Sequence, residues 1–325
     1  MTARPDPAKG RTFTIPVSVD RGIALAVGAA LISGLAIYLN GFAVKQLPDA
    51  ALYTTLKNAV AAVILVVAAI GLGAARDIRS IDTHGRIGVL LVGVIGGSIP
   101  FILFFSGLAQ ASAPSAAFIQ KTLFVWVALM AVPFLGERLG LAPLIGLVVL
   151  LVGQALVLPP DGIRWGSGET MILVATLFWA VETILVKRLL PAIPPSVMAA
   201  SRMGIGLVVL IGYLAVSGKL GLLAALSQAQ IGWVLLTGVI LAGYVATWFG
   251  ALRRAPASVV TSVLVVGAVV TGILSSIAKG TAPSPTVVGG YVLIVLAAGL
   301  LGWWSIRIAR SQATAAPVAV SVSAD

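Results

Sequence analysis

The chain has 325 residues, 59% of them hydrophobic and only 10% charged, with a mean hydropathy of +1.10, which excludes an ordinary soluble fold and indicates a polytopic membrane protein. A net charge of +11 arises from 21 Lys and Arg that lie in loops between apolar runs rather than in an aromatic-studded patch, so no nucleic-acid partner is expected. There is no cysteine and only one histidine, His84, in a polar loop; no disulfide can form, and neither a metal nor a cofactor is expected.

Residues 1–20 read as a polar tail carrying Arg4, Lys9, Arg11 and three prolines. The apolar run that follows continues to spanning length with no small-residue cleavage site, so no signal peptide is expected. Ten apolar runs then recur, at 22–43, 51–73, 87–109, 113–135, 141–159, 168–186, 198–217, 230–251, 256–277 and 286–306. A hydrocarbon core of about 30 Å needs roughly 20 helical residues, and runs this long and continuous are helices rather than alternating barrel strands. The predicted fold is therefore an all-α bundle of ten transmembrane helices, with residues 308–325 as a disordered tail.

Fourteen basic residues, including Arg76, Arg79, Arg86, Arg138, Lys187, Arg188, Arg253 and Arg254, fall on one side, against four (Lys45, Arg164, Lys219, Lys279) on the other. The positive-inside bias predicts that both termini are cytoplasmic. Lys57, Lys121 and Arg202 fall within spans.

The chain repeats itself. "AVKQL" at 43–47 matches "LVKRL" at 185–189, and "APSA" at 113–116 matches "APAS" at 255–258, both at an offset of 142. Gly96 and Gly238 share that offset, and Lys57 corresponds to Arg202 after a three-residue insertion. Five spans per repeat is an odd number, so the second copy crosses the bilayer upside down relative to the first, over 21–160 and 161–307. Inverted pairs place a solute site near the midplane, between the repeats.

"VPFLGERLGLAPLIGLVVLLVG" at 132–153 resembles the end-of-repeat signature of the drug/metabolite transporter superfamily, EamA type, in which Gly-Glu-Arg-Leu joins a repeat's fourth and fifth helices. "FWAVETILVKRL", "SRMGIGLVVLIGYL" and "FGALRRAPASVV" resemble that family's second repeat. The resemblance runs from Arg21 to Trp304 and implies two inverted five-helix repeats, a central cavity, and export or exchange of small organic solutes. The membrane expected is a prokaryotic inner membrane. The sequence departs from the pattern in its first helix, which lacks the usual tryptophan, at Lys57, where Arg is commoner, and at "AKGT", where Lys279 stands opposite Glu137.

Gly136, Glu137 and Arg138 form the turn between spans four and five. They read as structural, with the Glu137 carboxylate complementing the positive end of span five's helix dipole and pairing with nearby arginines; a gating role is the alternative. Lys121, near the middle of span four, is too deep to snorkel and needs a wet cavity or a partner. Glu182 and Arg202 sit at matching depth on consecutive spans and are expected to pair, whereas Lys121 lies about 12 Å from Glu182 along the membrane normal. Left without an acid, Lys121 either gives up its proton or meets an anion. It is expected to face the central cavity and bind an anionic group of the solute, with proton exchange on Lys121 or Glu182 as a route to coupling. The alternative is a lysine that caps carbonyls freed by Pro100, a proline expected to kink span three.

Gln120, Trp126, Tyr244, Trp248, Ser258 and Ser262 complete the predicted lining, Ser258 and Ser262 sharing one face of span nine with Thr261. Structural roles stand beside these, since intramembrane hydroxyls commonly bond their own helix and aromatics commonly pack. The function expected is secondary transport of a small metabolite such as an amino or organic acid. Its rivals are an intramembrane Ser/Lys-type enzyme using Lys121 and a non-transporting structural membrane protein. Glycine-rich spans allow a homodimer without specifying one.

Overall fold

The computed structural model describes residues 19–158 and 164–315. Residues 1–18 and 316–325, in the expected tails, lie outside the described residues. Span one is α1, Val19–Gln46, and span two is α2, Ala50–Gly71. A short helix, α3 (Ala74–Ser80), leads into span three, which comprises α4 (Thr83–Ile95) and α5 (Ile99–Gln110). Span four divides into α6 (Ala113–Lys121) and α7 (Leu123–Leu135), and span five is α8 (Leu141–Leu156). In the second repeat α9 (Ser167–Leu189), α10 (Pro195–Val216) and α11 (Gln228–Arg254) are spans six to eight. Span nine divides into α12 (Ala257–Leu264) and α13 (Val266–Lys279), and span ten is α14 (Pro285–Ala315).

Among the described residues nine spans are long and apolar enough to cross a bilayer, and α8, with 16 residues, is a shorter apolar helix. The last helix continues to Ala315, past position 308, the expected start of the tail. Helix starts follow local chemistry. Asp49 caps α2 by accepting from Ala51 and Leu52 amides at 2.8 and 3.0 Å, Asp82 caps α4 through Gly85, and Ser227 with Gln230 forms a capping box on α11.

Among the described residues three spans are broken along their length. Span three opens at Gly96–Ser98, and Pro100 sits in the first turn of α5, where its missing amide is not needed. The expected kink is thus a full interruption just before the proline. The freed carbonyls find donors: Ser98 Oγ donates to Val94 at 2.8 Å, and both Trp179 Nε1 and Arg202 Nη2 donate to Gly96, at 3.2 and 2.8 Å, as a lipid environment requires. Spans four and nine break at Thr122 and Val265, positions that nearly coincide under the repeat offset.

The packing carries the symmetry of the duplication. Span one packs on eight and span six on three; span two packs on seven, span five on ten, span four on six, and span nine on one. Exchanging the two repeats maps this set of contacts onto itself, and the odd number of spans per repeat makes the operation an inversion across the membrane. Small residues bring the copies together: a Cβ on Gly97 would collide with the Arg202 backbone and one on Gly34 with Gly267. Ten crossings put both ends of the described chain on one face, here the terminal face.

Candidate functional site

Where the repeats meet, a cavity of about 90 Å³ lies between spans one, two, three, four, six, seven and eight. Its lining includes Ser33 and Asn40 from α1, Lys57 from α2, Phe101, Phe104 and Phe105 from α5, and Gln120 from α6. The second repeat contributes Trp179 and Glu182 from α9, Arg202 from α10, and Thr237, Tyr244 and Trp248 from α11. Phe101, Phe104 and Phe105 share a face by their i, i+3, i+4 spacing. Tyr244 and Trp248, one turn apart, stack with ring centroids 6.0 Å apart.

Glu182 and Arg202, 3% and 5% exposed, form a two-pronged ion pair: Arg202 Nε donates to Glu182 Oε1 at 2.5 Å and Nη2 to Oε2 at 3.1 Å. The guanidinium also lies 5.3 Å from the Phe101 ring centroid. The geometry needs bare backbone opposite, since a Cβ on Gly96 would overlap the Glu182 carboxyl group.

Lys57 has a different environment. Its side chain is 1% exposed, and its ammonium lies 3.4 Å from the Phe105 ring centroid and 5.4 and 5.6 Å from those of Tyr53 and Phe101. Its polar neighbour is Asn40 Oδ1 at 3.4 Å, an oxygen that also accepts from the Tyr53 hydroxyl. Among the described residues no carboxylate pairs with it. Gln120 is buried as well, and its Oε1 has no hydrogen-bond partner among the described residues.

Lys121 departs from expectation. It is not among the residues lining the cavity; it ends α6, 1% exposed, and its Nζ donates to Ser33 Oγ at 2.7 Å beside Gly267. Ser33, not Lys121, reaches the cavity. The ammonium therefore fastens the junction of spans one, four and nine, and caps no carbonyl near Pro100. Trp126, Ser258 and Ser262 also lie outside the lining. Trp126 Nε1 donates to Thr122 Oγ1 at 3.2 Å beside the break in span four, and Ser262 Oγ donates to Ser258 O at 2.7 Å, within its own helix.

Glu137 is tied elsewhere than expected. Gly136 takes the left-handed conformation, with φ of 67°, which ends α7 and redirects the chain. The Glu137 carboxylate then accepts from the Ala257 amide at 2.6 Å, the Ser258 amide at 3.2 Å and the Ser258 hydroxyl at 2.5 Å. It thus caps span nine, in the other repeat, rather than span five or a neighbouring arginine; α8 begins at Leu141 with no side-chain cap. Arg138 is exposed. Beside this contact Lys187 Nζ donates to the Leu252 and Ala255 carbonyls at 2.5 and 2.7 Å, closing the end of α11. On the opposite face Lys219 pairs with Asp49 at 2.6 Å. Partial burial pushes the Asp49 carboxyl up, but hydrogen bonds from Lys219 and from the Leu52 and Ala51 amides outweigh it and leave the group below its ordinary value. The same hydrogen bond holds Lys219 above its ordinary value.

Sequence reasoning did not single out Asn40 or the three phenylalanines. The period of Phe101, Phe104 and Phe105, on the span before Lys121, was the available signal.

No curated protein matches the chain. A solved structure described only as "Crystal structure of protein" superposes with a TM-score of 0.70 at 17% identity, over 89% of this chain and 99% of that one, a likeness of fold alone. The model of the EamA-like transporter family matches twice, over residues 20–158 and 166–303, the two repeats in turn. With both repeats matched and a cavity lined by residues of both, the chain belongs to the EamA-like transporter family, whose members are membrane transporters of small solutes.

Proposed function

We propose that this chain is a secondary transporter that exports or exchanges a small organic solute, an amino or organic acid, by alternating access through the central cavity. The observation that carries the reading is the cavity's position, between repeats whose contacts interchange with one another, with buried polar groups in its wall. Rocking one repeat against the other exposes such a site to either face in turn. The loop charges make the terminal face cytoplasmic. Glu137 then closes the cytoplasmic end of span nine, and Lys219–Asp49 ties the outer ends of the repeats together.

Within this reading Gln120, Tyr244 and Trp248 bind solute with Lys57, and the Glu182–Arg202 pair holds the facing repeat in register. Saturable counterflow in proteoliposomes tests it. Preloaded unlabelled solute should accelerate labelled uptake for at least one member of a panel of amino and organic acids, whereas unsaturable leak across the whole panel would refute it.

One contact favours a second reading, an enzyme with a Ser/Lys pair. Lys121 Nζ lies 2.7 Å from Ser33 Oγ, a spacing suited to base activation of a hydroxyl. A serine-directed fluorophosphonate separates the two. Labelling of Ser33 that disappears in Lys121→Met supports the enzyme; an unlabelled protein that catalyses counterflow supports the carrier.

A further inference from the structure

The two repeats do not treat their cavity charges alike. The offset of 142 that aligns "AVKQL" with "LVKRL" also sets Asn40 opposite Glu182, as the inserted alignment sets Lys57 opposite Arg202. The structure honours both correspondences: Arg202 reaches Glu182 in one repeat, and Lys57 reaches Asn40 in the other. Each repeat therefore directs a basic side chain from its second helix at a polar group on its first. In the second repeat that group is a carboxylate and the pair is neutral. In the first it is an amide, which brings no charge to match the base.

We propose that the missing carboxylate is supplied by the solute, so that the cavity takes a small organic monocarboxylate whose acid group lies between Lys57 and Asn40. The inference rests on the carrier reading and narrows its solute to one with a single carboxylate, at a stated place in the cavity. The three rings beside Lys57 favour an ammonium electrostatically but offer it no acceptor, and the 3.4 Å contact to Asn40 is weak and shared with Tyr53. A carboxylate would give the ammonium the charge-assisted hydrogen bond it lacks. Trp179, packed on Phe101 and Phe104, joins Tyr244 and Trp248 in the cavity lining and adds aromatic surface for the rest of the molecule. A solute with a second acidic group would leave that charge unmatched, because Arg202 is already taken by Glu182.

The test uses three molecules of one shape: 3-methylbutanoate, its neutral amide 3-methylbutanamide and the cation 3-methylbutylamine. Each is titrated against the full chain in nanodiscs, with the change in intrinsic tryptophan fluorescence, to which Trp179 and Trp248 of the cavity lining contribute, as readout. The carboxylate should bind saturably and at least about tenfold tighter than the amide. Lys57→Met should abolish that preference and Lys57→Arg should keep it. Asn40→Asp, which places a carboxylate in the first repeat as in the second, should abolish carboxylate binding, while an unchanged circular dichroism spectrum and elution volume show a folded protein. Equal binding of amide or amine, undiminished carboxylate binding by Asn40→Asp, or no binding by any of the three overturns the assignment. Counterflow with other solutes decides the carrier reading separately: if it persists in any of these cases, only the substrate class has failed.

Discussion

Removing one half of the Glu182–Arg202 pair should be among the most destabilising single changes available in the bundle. Both side chains are buried, and two hydrogen bonds join them. At a charge separation of about 4 Å and an effective dielectric of about 20, their attraction is about 4 kcal/mol. Glu182→Gln keeps the shape but strands the guanidinium in the cavity wall, and a buried pair broken in this way typically loses about 3–5 kcal/mol. Arg202→Met strands the carboxylate and should cost a similar amount. The double variant leaves neither charge uncompensated and should recover at least about 2 kcal/mol of the summed losses. The assay is reversible unfolding of the purified protein in mixed micelles, run on all four proteins as a double-mutant cycle. Single variants that each lose less than about 1 kcal/mol, with additive effects, would refute the buried pair.

Glu137→Ala removes the acceptor of three hydrogen bonds at the start of α12 and should lower stability by about 1–3 kcal/mol in the same unfolding assay. Arg138→Ala, at an exposed position, should change it by less than about 0.5 kcal/mol. Because Asp49 is held below its ordinary value by its partners, its contribution should be complete above about pH 4 and fade as pH falls through the depressed native value. Lys219, held above its ordinary value, should contribute fully below about pH 10.4 and lose its share as pH rises through the elevated native value. This half-exposed pair is worth at most about 1 kcal/mol, and stability profiles of Asp49→Asn should lack the acid limb. Lys121→Met should leave the KM for the transported solute unchanged in counterflow, since its ammonium faces Ser33 rather than the cavity; a large rise in KM would contradict that placement.

Ten spans and an inverted duplication were legible because each rests on a strong one-dimensional signal, hydropathy over a membrane's thickness and recurring "VKxL" and "AP" segments. The Glu182–Arg202 pair was legible for the same reason: consecutive antiparallel spans put residues equally distant from one loop at equal depth. What a depth estimate omits is azimuth. It places Lys121 near mid-membrane but does not say which way it points, and the break at Thr122, unmarked by Gly or Pro in the sequence, turns the helix there. Glu137 was read against its nearest helix, whereas its amides come from residues 120 and 121 positions away. Such a contact exists only once the repeats are docked, and no local spacing encodes it. Asn40 was overlooked because a single amide in an apolar run carries no pattern; its meaning emerges only when its repeat-mate Glu182 is seen holding Arg202.

Alternating access, as proposed, requires that the one cavity between the repeats open in turn to the two faces of the membrane. The native chain contains no cysteine, so Thr183→Cys, on the cavity wall, introduces a unique thiol. The decisive measurement is its labelling in oriented proteoliposomes by an impermeant maleimide added to one side at a time, with and without saturating transported solute. Modification from either side, at rates that solute shifts in opposite directions, is the predicted result; a thiol reached from one face only, or at rates indifferent to solute, would contradict it.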